Sequence, residues 1–497
     1  MLKTVLRILS LLLSLAAISA QPGKPEEPRD IGSRLELFVD DYLIESMTDL
    51  ELKLHSPRPA GKVLILDRPW EGVTSAYISV FKDGDLYRMY YRGSSSKGYT
   101  AHSLLEPGER VIPEHPDVTC YAESRDGRNW IKPSLGLFEF LGSRENNIVW
   151  AAPSSQCFMA FRDANPTAPR EQRYKALAIS TESSPKRVIG LVSPDGLHWR
   201  PVRKEAILIQ EETDSGADHA FWDTEQERYV AYLRAFRPPP LKTIRLVARS
   251  TSPDFLNWSE LEFLKTGDAP VEHFYTSGAI PYFRAPHLYL AFPRRFLPWR
   301  TLELYKDNRG SGVSDVVFLS SRDGLHWKRA FMEAFIRPGR NIRSWIHRAN
   351  TPASGVVPTG EAEISLYLQR HYTFPSIHVE RMALRTDGFV SVHAGYSGGE
   401  MVTKPLIFQG ENLFLNFATS AAGSIRLEIQ DANGNPLPGF TLEESPLIWG
   451  DEIEHTVRWE RSHAKASSDK PLARIAGKPV RLRFVMKDAD LYSLRFK

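Results

Sequence analysis

The 497-residue sequence predicts an all-β chain: a five-bladed β-propeller followed by a C-terminal β-sandwich. Three observations predict it. One heptapeptide recurs along most of the chain, beginning at Ser124-Arg125-Asp126-Gly127-Arg128-Asn129-Trp130. Short alternating strands surround each copy, while helical periodicity is almost absent. The repeat stops at Gly395-Tyr396-Ser397-Gly398-Gly399, and a different strand pattern follows it.

In chain order, residues 1–20 read as a signal peptide. Lys3 and Arg7 precede the apolar stretch Ile8 to Ala17, and Ile18-Ser19-Ala20 supplies small residues before Gln21-Pro22. The apolar run is short of the roughly 20 residues a membrane span needs, so export to the periplasm or medium is expected. The mature chain is expected to have no membrane span. Lys+Arg total 63 against 60 Asp+Glu, and removing Lys3 and Arg7 leaves a net charge of +1. That balance gives no electrostatic reason to expect nucleic acid as a partner. It suits an uncharged sugar better than a polyanion. The only cysteines, Cys120 and Cys157, form no C-x-x-C, and two buried free thiols are the favoured reading.

Residues 36–395 accommodate five repeats. Ser193-Pro194-Asp195-Gly196-Leu197-His198-Trp199 and Ser321-Arg322-Asp323-Gly324-Leu325-His326-Trp327 match the first copy, and Ser252-Pro253-Asp254-Phe255-Leu256-Asn257-Trp258 matches without its glycine. A worn copy stands at Arg385-Thr386-Asp387-Gly388-Phe389. The four tryptophans lie 69, 59 and 69 residues apart, one small sheet's worth of chain each, and radial repetition of such sheets is a propeller. Asp-Gly supplies a tight turn and Ser and Asp bond nearby backbone. These turns are therefore read as scaffold. Residues 400–497 carry alternating strands such as Ser424-Ile425-Arg426-Leu427-Glu428-Ile429, read as a sandwich that buttresses the propeller.

A propeller funnels its inner strands toward an axial pocket, so carboxylates near their starts are the candidates. Paired acids are the working parts of glycoside hydrolysis. Leu37-Phe38-Val39-Asp40-Asp41-Tyr42 puts two acids in an apolar strand, of which Asp41 is taken to face the channel. Phe161-Arg162-Asp163 opens the second unit, with Arg162 placed to hold Asp163 ionised. Asp214, Asp218 and His219 open the third. Glu272 and His273 open the fourth, with Arg294 and Arg295 at the far end of its hairpin. An aromatic setting would raise the Glu272 pKa and suit it to act as general acid. Glu363 and His371 flank Leu366-Tyr367-Leu368 in the fifth. Trp70 and Glu71 add a stacking ring and an acid. No nucleophile elbow, phosphate loop or dinucleotide fingerprint is present. Scattered histidines such as His219, His273, His347 and His371 do not form a metal motif, so neither metal nor other cofactor is expected.

At this point the residues carry a resemblance. The order of propeller and sandwich resembles the glycoside hydrolase family 32 superfamily of invertases, levanases and arabinanases. It is closer still to exported bacterial family 32-like proteins, through Leu37 to Glu45, Asp67-Arg68-Pro69-Trp70-Glu71-Gly72, Tyr87-Arg88-Met89-Tyr90-Tyr91-Arg92-Gly93, Pro281 to His287 and Asp488-Ala489-Asp490-Leu491-Tyr492-Ser493. The resemblance implies a nucleophile at Asp41, a transition-state stabiliser at Asp163 and an acid at Glu272. Asp214-Ser215-Gly216-Ala217 and His347-Arg348-Ala349-Asn350 depart from the closer set and imply an altered pocket. The function expected is an exported glycosidase, with a non-catalytic carbohydrate-binding propeller as the alternative. A sialidase-like enzyme would need an arginine triad and a tyrosine nucleophile, which the sequence alone does not place.

Overall fold

The computed structural model describes residues 27–97, 112–180, 186–210, 217–236, 244–300, 302, 304, 312–346, 348–459 and 471–497. The expected signal segment, Asp214 and His347 lie outside them. Among the described residues, antiparallel sheets of four or five strands follow one another along the chain, and a three-stranded sheet of His273–Phe274, Arg294–Leu297 and Val313–Val316 is interleaved with the fourth. Blade 1 starts with Ala76–Asp83 and Leu86–Gly93 and ends at Trp130–Ile131. Blade 2 starts with Met159–Arg162 and Tyr174–Ser180, blade 3 with Ala217–Asp223 and Arg228–Phe236, and blade 4 with Ile280–Tyr282 and Ala285–Ala291. Blade 5 contains Thr351–Pro352, Glu363–Arg370 and His378–Arg385. Its outermost strand, Arg58–Ile65, comes from ahead of blade 1. That pairing closes the ring and covers what would otherwise be an exposed edge.

The heptapeptide forms the same turn in its four tryptophan-bearing copies. Ser124 Oγ accepts from the Gly127 amide at 2.9 Å, Asp126 Oδ1 accepts from the amides of Arg128 and Asn129, and Trp130 Nε1 donates to the Gly127 carbonyl. The glycines have φ of 68, 81 and 72°, and Phe255 takes the same left-handed conformation at 68°. The turn also links blades. Tyr90 Oη of blade 1 donates to the Gly196 carbonyl of blade 2 at 2.9 Å, and Tyr232 of blade 3 donates to Gly324 of blade 4 at 2.8 Å. Tyr367 of blade 5 does the same for Gly127 of blade 1. Blade 2 offers Leu177 in place of the tyrosine, and there Phe255 packs with it in one apolar cluster instead. The scaffold reading of the motif thus has a physical content: each turn staples its blade to the one before.

The division at residues 36 and 395 needs correction. Glu36–Leu37 pairs with Ser493 and Leu494, Ile44–Thr48 with Gly399–Thr403, and Leu50–Leu54 with Val390–Ala394. Residues 29–54 and 390–394 therefore belong to the C-terminal unit, which is one ten-stranded sheet rather than two separate ones. Its long strands Leu413–Asp431 and Val480–Phe496 run together with irregular register between Thr419 and Ser424, where the sheet turns around its own core of Phe408, Phe417, Leu427, Phe484 and Leu494. Alternation alone could not show this, because a strand's partner is not written in its own pattern. Cys120 and Cys157 form no disulfide and are buried, as expected.

Candidate functional site: two mouths of one channel

The first strand of each blade lines the channel, so the channel has two chemically distinct mouths. At the waist, the inner strands of blades 1 and 5 hydrogen-bond directly: Val80 N donates to Ser354 O and Ser354 N to Ile78 O. Gly355 permits this approach, since a Cβ there would lie 1.9 Å from the Val80 carbonyl oxygen.

The lower mouth, where the inner strands end, holds a cavity of about 780 Å³ walled largely by Phe161, Phe221, Trp222, Tyr282 and Phe283. Arg162, Asp163 and His219 line it, as the sequence led one to expect for an axial pocket. Their chemistry differs from expectation. The Asp163 carboxylate is fully buried and accepts from Lys175 Nζ at 2.6 Å, Tyr229 Oη at 2.8 Å and the Asn165 amide at 2.9 Å. It clamps blade 2 to blade 3. Arg162 does not hold Asp163; it is exposed and pairs with Asp83 at 3.2 Å. His219 is buried with Nδ1 lacking a hydrogen-bond partner, and desolvation lowers its pKa to about 4.

The expected triad does not converge. Asp41 is exposed beside Lys328 at 3.3 Å, in the junction between propeller and C-terminal unit. Its neighbour Asp40 turns inward to Arg322 at 2.9 Å, beside buried Glu36. The segment was read as a channel strand, but the C-terminal sheet takes its flanks. Glu272 sits between Arg295 at 3.1 Å and Arg329 at 2.9 Å, so two guanidiniums replace the aromatic setting expected of a general acid. Arg295 also grips Asp315 at 2.7 Å and faces away from the channel. Glu363 is held by Arg58, Arg128 and Arg381 at the seam of blades 5 and 1.

The remaining candidates are also tied into the scaffold. Trp70 Nε1 donates to Asn147 Oδ1 at 2.7 Å, and Glu71 is buried against Tyr91 Oη and Lys132 Nζ. These make blade contacts, not a stacking platform. His273 stands edge-on to Phe296 and accepts from the Arg245 amide at 3.4 Å. Asp218 lies in the strand Ala217–Asp223, with its side chain outside the described residues. His371 lies close to the other mouth, next in the chain to Tyr372; its Nδ1 is 3.0 Å from Ser376 Oγ, and burial lowers its pKa to about 4.

The upper mouth, where the inner strands begin, is polar; Arg294 and His371 are sequence candidates that fall near it, whereas Arg92, Tyr77 and Arg348 are not among the expected site residues. Arg92, Arg294, Arg348, Tyr77, Tyr372 and Thr351 line a small cavity there. Arg92 lies opposite Ala76, the first residue of its inner strand; Arg234 is one residue beyond the Ala217 pairing, and Arg370 one beyond that of Thr351. Arg294 likewise follows the second strand of blade 4. An arginine therefore stands at the end of the second strand in blades 1, 3 and 5 and just past it in blade 4, and an antiparallel second strand ends where the inner one starts. Arg294 stacks on Tyr275 at 3.8 Å and Arg234 on the same ring at 4.1 Å, while Arg92 lies 4.9 Å from the Tyr77 ring. The backbone is strained at this place. Tyr77, Arg348, Asn350, His371 and Thr373, none of them glycine, all have φ between 54 and 71°. The recurring arginine is the sequence signal of this mouth; it is obscured because Arg92, Arg234, Arg294 and Arg370 lie far apart in the chain and share no local motif.

No family model and no curated protein matches the chain. Solved structures do resemble it. One described as a glycoside hydrolase is 13% identical, with 69% of this chain and 95% of that chain covered at a TM-score of 0.45. A fructofuranosidase of Schwanniomyces occidentalis with fructosylnystose is 9% identical, covering 89% and 98% at 0.42. A Bombyx mori family 32 β-fructofuranosidase is 9% identical, covering 88% and 94% at 0.41. Likeness at this level carries no argument for chemistry, which rests on the residues.

Proposed function

We propose that the protein is an exported glycoside hydrolase that engages a glycan at the upper mouth of its channel. The observation that carries this reading is the gathering of five strained non-glycine residues around buried arginines and tyrosines at one end of the axis. Such strain persists where surrounding structure over-determines it, and it collects at working sites.

Cleavage of a glycosidic bond needs a proton delivered to the leaving oxygen and support for positive charge developing on the ring. Burial raises the pKa of Tyr77 above its ordinary value, so it remains a phenol and can donate a hydrogen bond to a sugar oxygen. Asp117, partly exposed and 3.7 Å from Arg92, is a described carboxylate beside one of the cluster's arginines. It is the group assigned to proton transfer in place of Glu272. A second reading, a carbohydrate-binding propeller without catalysis, is favoured by the saturation of Asp163 and Glu272 by cationic partners.

A panel of aryl glycosides and oligosaccharides assayed on wild type, Asp117→Asn and Tyr77→Phe tests both. Hydrolysis lowered about 100-fold in Asp117→Asn, with binding kept, supports the enzyme and matches the usual weight of general acid–base help. Binding without hydrolysis by wild type supports the second reading. A panel neither bound nor cleaved overturns both.

A further inference from the structure

The near-neutral balance of the whole chain gives no sign that Arg92, Arg234, Arg294 and Arg348 gather at the upper mouth. Arg92 and Arg294 are buried, at 7% and 2% exposure. Arg294 donates only from Nη1, to the Arg348 carbonyl at 3.1 Å and the Thr351 hydroxyl at 2.6 Å, and its Nε is buried without a partner. Both acceptors are neutral. The groups that act on its charge are Tyr275, Tyr77 and the further cations Arg348 and Arg234; burial, the largest influence, brings its pKa down to about 10. Arg92 donates to the Thr74 carbonyl at 2.6 Å, has Asp117 at 3.7 Å, and likewise keeps a buried Nε unpartnered. Buried charge is costly unless paired, and a scaffold role would have supplied Arg294 with a carboxylate. Elsewhere in the propeller this chain does so repeatedly: Arg295, adjacent in sequence and facing the other way, holds both Glu272 and Asp315.

We propose that the upper mouth binds the oxyanion substituent of an acidic sugar, a carboxylate or sulfate group, on Arg294 with Arg92 beside it. The inference rests on the glycan-acting reading and narrows its substrate to anionic glycans. The planar guanidinium fork suits such an oxyanion, because two N–H groups point the same way. Tyr275 beneath Arg294 and Thr351 beside it fix the plane of the fork before ligand arrives, which lowers the ordering cost of binding. The hydroxyl of Tyr77, on the same cavity wall, supplies a neutral donor for the sugar itself. The neutral glycan expected from net charge is thereby replaced by an anionic one.

The test is calorimetry and thermal unfolding of the full-length protein with three matched sets: uronate-terminated oligosaccharides and their methyl esters, sulfated and desulfated oligosaccharides, and neutral oligosaccharides. The uronate and sulfate arms separate the two sources of the oxyanion. Acidic sugars are expected to bind wild type about 10–100-fold more tightly than their neutralised partners, the range a charge-assisted hydrogen bond provides. Arg294→Gln is expected to abolish that preference. Because an uncompensated buried cation disfavours folding, the ligand-free variant is expected to melt at or above the wild-type temperature. A merely structural Arg294 would lower it. Arg92→Gln serves as the second variant and is expected to weaken acidic ligands alone. Neutral sugars bound as well as acidic ones would overturn this inference while leaving the glycan-acting reading in place. Binding of inorganic sulfate with no sugar in any set would overturn both. Retention of the acidic preference in both variants would remove the assigned arginines.

Discussion

At the scale of single residues, two buried groups of opposite sign divide the pH dependence of stability. His219 titrates near 6.5 unfolded and near 4 folded, by desolvation. Its folded pKa is depressed, so acid favours the unfolded chain: the site imposes no cost above pH 6.5, and stability falls as pH drops from about 6.5 toward 4. The full effect is up to about 3 kcal/mol. His219→Phe, in a wall already built of Phe161 and Phe221, is expected to flatten that window in thermal melts; an unchanged slope would contradict it. Glu36 is fully buried, and although desolvation opposes it, His287, Arg322 and Arg34 bring its pKa down to about 2. Its contribution is complete above pH 4.5 and is lost as pH falls from 4.5 toward 2. Glu36→Ala strips a buried network of its anion and should cost about 3–5 kcal/mol in denaturant titration. These residues show where sequence reading succeeds and fails. Asp40 and Asp41 stand out as acids in an apolar stretch, but what accommodates Asp40 is an ion-pair network with Arg322, a residue 282 positions away. Charge that must be compensated is visible in a sequence; its partner is not.

At the scale of the element, the seven-residue turn is the unit that makes a ring from sheets. Its Ser-x-Asp-Gly-x-x-Trp spacing was legible because every residue acts locally, within a few positions of its partner. The tyrosines that read its carbonyl from the neighbouring blade were not, because that bond spans about 106 residues between Tyr90 and Gly196. Tyr90→Phe should cost about 1 kcal/mol, the net worth of an ordinary buried hydrogen bond. Gly196→Ala should cost more, since φ is 81° and the new Cβ would lie 2.6 Å from the Tyr90 hydroxyl. If both variants melt with wild type, the turn is not a staple. The upper mouth follows from the same regularity. Antiparallel pairing carries the end of each second strand back to where the inner strand begins, so arginines scattered from 92 to 370 in sequence meet at one end of the axis.

At the scale of the whole molecule, residues 29–54 are woven into the C-terminal sheet, and Arg58–Ile65 closes blade 5. A chain beginning at residue 55 should therefore lose the C-terminal unit's packing, with a lower melting temperature and a less cooperative transition; independent folding of residues 400–497 would contradict this. The all-β class, the repeat and the change of pattern near 399 were readable, since they depend on local period and turn chemistry. The exchange of strands between the two ends was not, because sheet register is set by distant partners. The channel's polarity sits at the same level: carboxylates expected at the axis are spent as blade clamps, and the arginines occupy the mouth. The most direct measurement is a crystal structure with an acidic oligosaccharide bound. Density over Tyr77 with its oxyanion on Arg294 is the predicted result. Density confined to the lower mouth between Phe161 and Tyr282, or to the C-terminal sheet, would contradict the account.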